Sequence, residues 1–236
     1  MLRTLDERQS SILEATVREY IQSAEPVGSV VLAERYGIEA SPATIRNDMV
    51  DLEQAGFLSQ PHTSAGRVPT EQAYRYYIEH FLRERTVPRR EATELNSALR
   101  PSGESRQRLK LTAKLVASFS DESVFVAFGP HDVYYTGIAN LLNQPEFTNY
   151  QQLYSMGMVI DQLDEALARI HGSVADRVQV LVGDETHLSN LCSVIVTRWR
   201  ASDIGEGVFG LLGPTRMDYD TNVARVKYVH EHLSVE

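Results

Sequence analysis

Cysteine is nearly absent. The 236 residues hold one, Cys192, so no internal disulfide can form, which points to a reducing compartment. Its neighbours in Leu191-Cys-Ser-Val-Ile-Val196 are apolar, the setting of a core thiol and not of a redox sensor. No apolar run is long enough to span a bilayer, and charges begin at Arg3, so no secretory signal is expected. A cytoplasmic chain without membrane contact is the expectation. Basic residues are also scarce: 23 Lys and Arg stand against 32 Asp and Glu, a formal net of −9. A broad cationic surface is thereby excluded, and any reading of nucleic acid must rest on a few placed arginines.

Constellations for chemistry are lacking as well. His230 and His232 flank Glu231, but a spacing of two sends the histidines to different sides of a helix, so neither a metal site nor a cofactor is expected. Asp161, Asp164 and Glu165 follow a helical surface pattern, and Arg216, Asp218 and Tyr219 read as a turn after a strand. No catalytic residues, and hence no enzyme, are expected. Gly205-Glu-Gly-Val-Phe-Gly210 has the G-x-G-x-x-G spacing, yet a dinucleotide loop needs a strand before it and a helix after it. Here Val208–Leu212 is itself strand-like, so the glycines are expected to make a hairpin turn and allow close packing.

What is present centres on Ser41-Pro-Ala-Thr-Ile-Arg-Asn-Asp-Met49. Ser41 suits a helix N-cap and Pro42 a first helical residue. Ile45, Met49 and Leu52 repeat at helical spacing and mark a buried stripe. Ala43, Thr44, Arg46 and Asn47 lie off it near the N-terminal end, the arrangement a helix needs to enter a major groove. Upstream, Ile12, Leu13, Val17, Tyr20 and Ile21 predict a first helix over Asp6–Gln22, broken by Glu25-Pro-Val-Gly28. A short second helix follows over Ser29–Arg35, and Gly37 can take the left-handed turn. Phe57-Leu58-Ser59 and Arg67-Val68 would be the strands of a wing with Pro61–Gly66 as its tip. His62, Thr63, Ser64 and Arg67 offer donors suited to phosphate.

Glu19–Ile78 resembles the DNA-binding segment of the heat-inducible transcription repressors. The resemblance runs through Ser23-Ala-Glu-Pro-Val-Gly-Ser29, the Ser41 helix, Pro61-His-Thr-Ser-Ala-Gly-Arg-Val-Pro69 and Tyr74-Arg-Tyr-Tyr77. Farther on, Tyr134-Tyr-Thr-Gly-Ile-Ala-Asn-Leu-Leu142, Gln144-Pro-Glu-Phe147 and Gly210-Leu-Leu-Gly-Pro-Thr-Arg-Met-Asp-Tyr219 are similar to that family's C-terminal, sensor-like (GAF-like) domain. The resemblance implies repression of chaperone operons through an inverted-repeat operator of double-stranded DNA, release on heat stress, and a chaperonin partner. It also implies a dimerisation domain inserted in the sensor-like domain. Here the stretch before Tyr134 has room for one helix (Glu104–Ala117), one strand (Ser123–Phe128) and the turn Gly129-Pro-His-Asp132, so the insert is missing.

The expected fold class is therefore α+β: a winged helix-turn-helix domain over 1–85, a linker over 86–103 and a reduced sensor-like domain over 104–236. Arg83, Arg85, Arg89 and Arg90 close a helix over Tyr74–Arg85 and read as a solvated linker cluster, with Pro101-Ser-Gly103 behind it. In the last domain, strands are expected at Asp132–Ile138, Val178–Val182, Val194–Trp199 and Val208–Leu212, with helices at Met158–Ile170 and Thr221–Leu233. The candidate DNA-binding residues are Ser41, Thr44, Arg46, Asn47, His62, Thr63, Ser64 and Arg67. An inverted repeat calls for a homodimer; the Tyr74, Tyr77, Ile78, Phe81 and Leu82 stripe can pack on its own domain or partly on a second copy, and with the sensor-like domain it is the candidate contact. The alternative is a metabolite-responsive winged-helix regulator, which predicts an apolar pocket with a few convergent polar groups.

Overall fold

The computed structural model describes residues 5–100, 103–129 and 131–233. Pro101, Ser102 and Pro130, from the expected linker and hairpin turn, lie outside the described residues. The chain divides into two units, Met1–Leu82 and Arg83–Glu236.

The first unit is a winged helix-turn-helix. Helix α1 (Glu7–Ser23) starts where the Asp6 carboxylate accepts the Gln9 N–H at 2.8 Å, and it stops at Ala24 in the left-handed region. Helix α2 (Ser29–Tyr36) ends on Gly37 at φ 62°, and α3 (Pro42–Gln54) follows. Strands β1 (Leu58–Ser59) and β2 (Val68–Pro69) pair antiparallel, and α4 (Glu71–His80) closes the unit. Ile12, Leu13 and Val17 of α1 meet Leu32, Ile45, Met49, Leu52 and Phe57 in one buried core. Two carboxylates are buried with it: Glu19 takes Arg35 at 2.8 Å and the Tyr36 hydroxyl at 3.2 Å, while Asp48 takes two bonds from Arg8. Burial, with Glu19 beside it, pushes the Tyr36 phenol up to about 12.

Two expectations fail here. The helix predicted over Tyr74–Arg85 stops at His80, and its aromatic stripe is not free: Tyr74 and Tyr77 are buried in the unit's own core, and Tyr76 meets Phe57 edge to face. The stripe packs on α1 because each helix has an apolar face to bury. It is therefore not available as the main contact of a dimer. The linker expectation fails as well, since most of it is helix α5 (Arg89–Leu99). Its buried face of Leu95, Ala98 and Leu99 outweighs the arginines at its start, and Glu91 pairs with Arg225 at 2.8 Å. Before it, the Arg83 N–H donates to buried Asp220 at 3.0 Å and Arg85 reaches Thr221 at 3.3 Å, so both belong to the second unit.

That unit is a three-layer sandwich. Its antiparallel sheet has the order β4-β3-β7-β6-β5, from β3 (Ser123–Gly129), β4 (Asp132–Thr136), β5 (Gln179–Val182), β6 (Cys192–Ala201) and β7 (Gly205–Pro214). Phe125, Ala127, Cys192, Val194, Val196, Val208 and Leu212 share one face with α7 (Ile138–Leu142), α8 (Tyr150–Asp161) and α9 (Leu163–His171). On the other face lie α6 (Ser105–Ser120) and α10 (Tyr219–Leu233), tied by Ser193 to the Tyr219 hydroxyl at 2.7 Å and by Thr197 to His230 at 2.9 Å. The helix predicted over Met158–Ile170 is two helices, broken at Gln162. The β6–β7 hairpin turns over 202–204 and closes on Gly205 at φ 85°, and a Cβ at Gly207 would lie 2.1 Å from the Ala127 carbonyl, so the glycine motif serves the hairpin and strand packing and not a cofactor. Burial pushes the Cys192 thiol up to about 12, which leaves it inert. Among the described residues no helix is long and apolar enough to cross a membrane.

One carboxyl carries an electrostatic cost. Glu122 is buried against Gly213, and its Oε2 has no hydrogen-bond partner among the described residues. Desolvation raises it well above the ordinary carboxylate range, with Arg216 pulling partly the other way. A raised value means the folded chain holds this proton more firmly than the unfolded chain does. The site's contribution is full below the unfolded value of about 4.3 and is lost as pH rises toward the folded value. Glu122→Gln should remove that slope and raise Tm at pH 8 by roughly 2–4 °C, the shift expected for ~1 kcal/mol in a chain of this size. Equal wild-type and variant melting curves from pH 5 to 8 would contradict it.

Candidate nucleic-acid interface

The exposed face of α3 forms first from its cap. The Ser41 hydroxyl accepts the Thr44 N–H at 3.1 Å and lies 2.9 Å from the Thr44 hydroxyl. Ser41 and Thr44 thus hold the helix start. Ile45, Asp48, Met49 and Leu52 turn inward. Arg46 and Asn47 are left exposed, and neither side chain has an ion pair or hydrogen bond among the described residues. The inward Asp48–Arg8 pair and the apolar stripe fix which way these two point.

The wing stands beside them because of its backbone. Val27 and Arg67 exchange reciprocal N–H···O bonds, both 2.8 Å, which ties the wing to the turn before α2. Gly66 makes the approach possible: a Cβ there would sit 2.3 Å from the Val27 carbonyl oxygen. Gln60 donates to the carbonyls of Thr63 and Ala65 at 3.1 and 3.0 Å and shapes the tip. His62, Thr63 and Ser64 are exposed there.

Arg67 is placed differently from a free phosphate contact. Its side chain is 13% exposed and lies 2.9 Å from Glu53 of α3, a charge contact without hydrogen-bond alignment at Nε. The sequence spacing could not reveal this, since the partner is on a different element, α3.

A groove of about 480 Å³ separates the wing from α2 and α3, with Arg46, Thr63, Ser64 and Arg67 on its walls. Gly28, Ser29 and Gln60 also line it, and none was a candidate from sequence. The α2 N-terminus has no side-chain cap, and the Ser29 hydroxyl is buried without a partner among the described residues. Unsatisfied helix N–H groups favour an anion. The readable signal was Gly28-Ser29 after Pro26, which marks a helix start as well as a break.

Residues 62–223 match the family profile described as HrcA protein C terminal domain. The chain belongs to the HrcA family. A heat-inducible transcription repressor HrcA from Desulforudis audaxviator is 28% identical, over 98% of this chain and 97% of the relative. The repressor of the same name from Moorella thermoacetica is 29% identical with the same coverage. The first alignment runs over 335 positions although this chain has 236 residues, so a long internal stretch of that HrcA has no counterpart here. This agrees with the short passage through α6, β3 and β4. A crystal structure of a hypothetical protein shares the fold over 98% of both chains, with TM-score 0.77 at 22% identity.

The wing's attachment is open to direct test. Gly66→Ala should push the wing from Val27 and destabilise the protein by about 1–3 kcal/mol, the range for overpacking. Thermal melts would give the loss, and amide exchange at Val27 and Arg67 should accelerate. Retained protection at both amides would show that the contact is not needed.

Proposed function

We propose that this chain is a sequence-specific DNA-binding repressor of chaperone operons that reads an inverted repeat as a homodimer and releases it on heat stress. The single observation that carries this reading is the pair Arg46 and Asn47, exposed and unpaired on the inwardly anchored α3 beside a polar groove. Arginine suits guanine O6 and N7, and asparagine suits adenine. Thr44 and Ser41 set the helix start beside the bases. His62, Thr63 and Ser64 bond the flanking phosphates, and the α2 N-terminus faces another. These contacts position the protein without selecting sequence. The net of −9 implies little non-specific affinity. The names of the relatives support repression and heat induction. A chaperonin partner and a cytoplasmic location complete the reading.

A second reading has one observation in its favour. A cavity of about 290 Å³ in the second unit is lined by Leu99, Leu109 and Leu233, with Arg100, Arg108 and Arg200 around it. A metabolite-responsive regulator would use such a pocket, and thermal stabilisation by a small molecule is its signature.

The test of the first reading is a mobility shift on inverted-repeat chaperone-operator DNA. Arg46→Ala with Asn47→Ala should weaken operator binding about 10- to 100-fold while random DNA is bound as before. Unchanged operator affinity in the folded double variant would sink the assignment.

Arg67 admits two roles in this reading. If it positions the wing through Glu53, Glu53→Gln loosens the wing and weakens binding to all DNA about threefold to tenfold. If it grips phosphate itself, removing the competing carboxylate strengthens binding and steepens the salt dependence. We expect weakening with an unchanged salt slope, read from titrations at several salt concentrations.

A further inference from the structure

The described residues expose seven large apolar side chains, and four of them stand on α8. Tyr150 is 82% exposed, Tyr154 61%, Met158 43% and Leu153 41%. They recur at helical spacing, so they form one stripe and not a scatter. The two tyrosine rings stack, with centroids 6.4 Å apart. Met156 and Val159 on the opposite side anchor the helix to the sheet, so the stripe is held on a fixed support. Gly157 lies in the stripe, with open space where its Cβ would be.

We propose that this stripe is where a second copy of the chain docks, helix against helix about a two-fold axis. The inference rests on the repressor reading only for why two copies are needed. Charge decides the occupant. The chain carries a net of −9, so most of its surface repels its own copy. From Tyr150 to Ile160, α8 has no charged residue. Antiparallel packing also sends Asp161 of each copy toward the N-terminus of the facing helix, which favours a carboxylate. The other candidate, the α4 stripe, is already buried at Tyr74 and Tyr77.

Size sets the strength. Side chains of these kinds at these exposures remove roughly 450 Å² per copy from water. That is about half of the ~800 Å² per partner in a standard interface, so the free dimer is weak. An operator with two half-sites supplies the missing affinity by holding the copies close.

Sedimentation of the full chain from about 1 to 200 µM tests this, with and without full-site DNA. The wild type should dimerise reversibly in the upper range. Tyr150→Glu with Tyr154→Glu should be monomeric at every concentration, at least about 30-fold weaker in association, with unchanged Tm. Leu111→Glu, at an exposed position of α6, should associate like the wild type. Leu153→Cys should form a disulfide-linked dimer on mild oxidation, since Cys192 is buried. A dimer that survives the double tyrosine variant overturns the proposal. So does a Leu153→Cys variant that still dimerises but does not cross-link. A wild type that stays monomeric on full-site DNA, while a chaperonin captures it through Tyr154, overturns it too. Half-site affinity separates the two readings. If α8 is wrong, the tyrosine variant loses nothing on full-site DNA and half-site binding stands. If the DNA reading is wrong, the dimer forms without any operator preference.

Discussion

The reciprocal Val27–Arg67 backbone pair is the constraint on which the first unit's architecture turns. Two hydrogen bonds would be a modest contribution alone. Their effect is geometric, because they fix a short two-residue ladder that could not hold itself. With the wing pinned beside α2, the groove has two walls. Gly66 is where the two backbones come closest, and a side chain would close the gap only by moving one of them. The Arg67–Glu53 contact adds a second tie from the same residue to α3.

Charge inside this unit is mostly neutralised internally. Glu19 and Asp48 are buried, and each has its arginine, Arg35 and Arg8. Such pairs add little net stability but specify how α1, α2 and α3 meet, since either carboxylate left alone would be costly. The exposed cation on α3 is Arg46. In the proposed function, an acidic chain with a local positive point and no cationic surface selects a site over general attraction to DNA.

The second unit solves a different problem. A five-stranded sheet has two faces to cover, and α6 and α10, with α5 packed on them, cover one while α7 to α9 cover the other. The alignment with the Desulforudis audaxviator repressor is about a hundred positions longer than this chain, and the passage through β3 and β4 is short. On that second face α8 keeps an aromatic stripe that its own sheet does not cover.

Much of the fold was legible from local chemistry. Ser41 caps its helix as its side chain requires, Gly37 ends the one before it, and Ile45, Met49 and Leu52 point inward as their spacing demands. Local rules also carried most of the candidate interface, because exposure on a short helix follows from the buried stripe opposite. Three features did not follow. Arg67 found Glu53, Arg89–Leu99 became a helix, and Tyr74 and Tyr77, which could have packed on their own unit or on a second copy, went into their own unit's core. Each depends on what the chain brings near from elsewhere: a carboxylate for a cation, an apolar face for leucines, a neighbouring helix for tyrosines. Sequence by itself determined the helix starts, the buried stripes and the turns, since these are settled by residues a few positions apart. Only the tertiary structure decided which charges are neutralised and which apolar faces stay open, because burial and pairing are properties of neighbours in space.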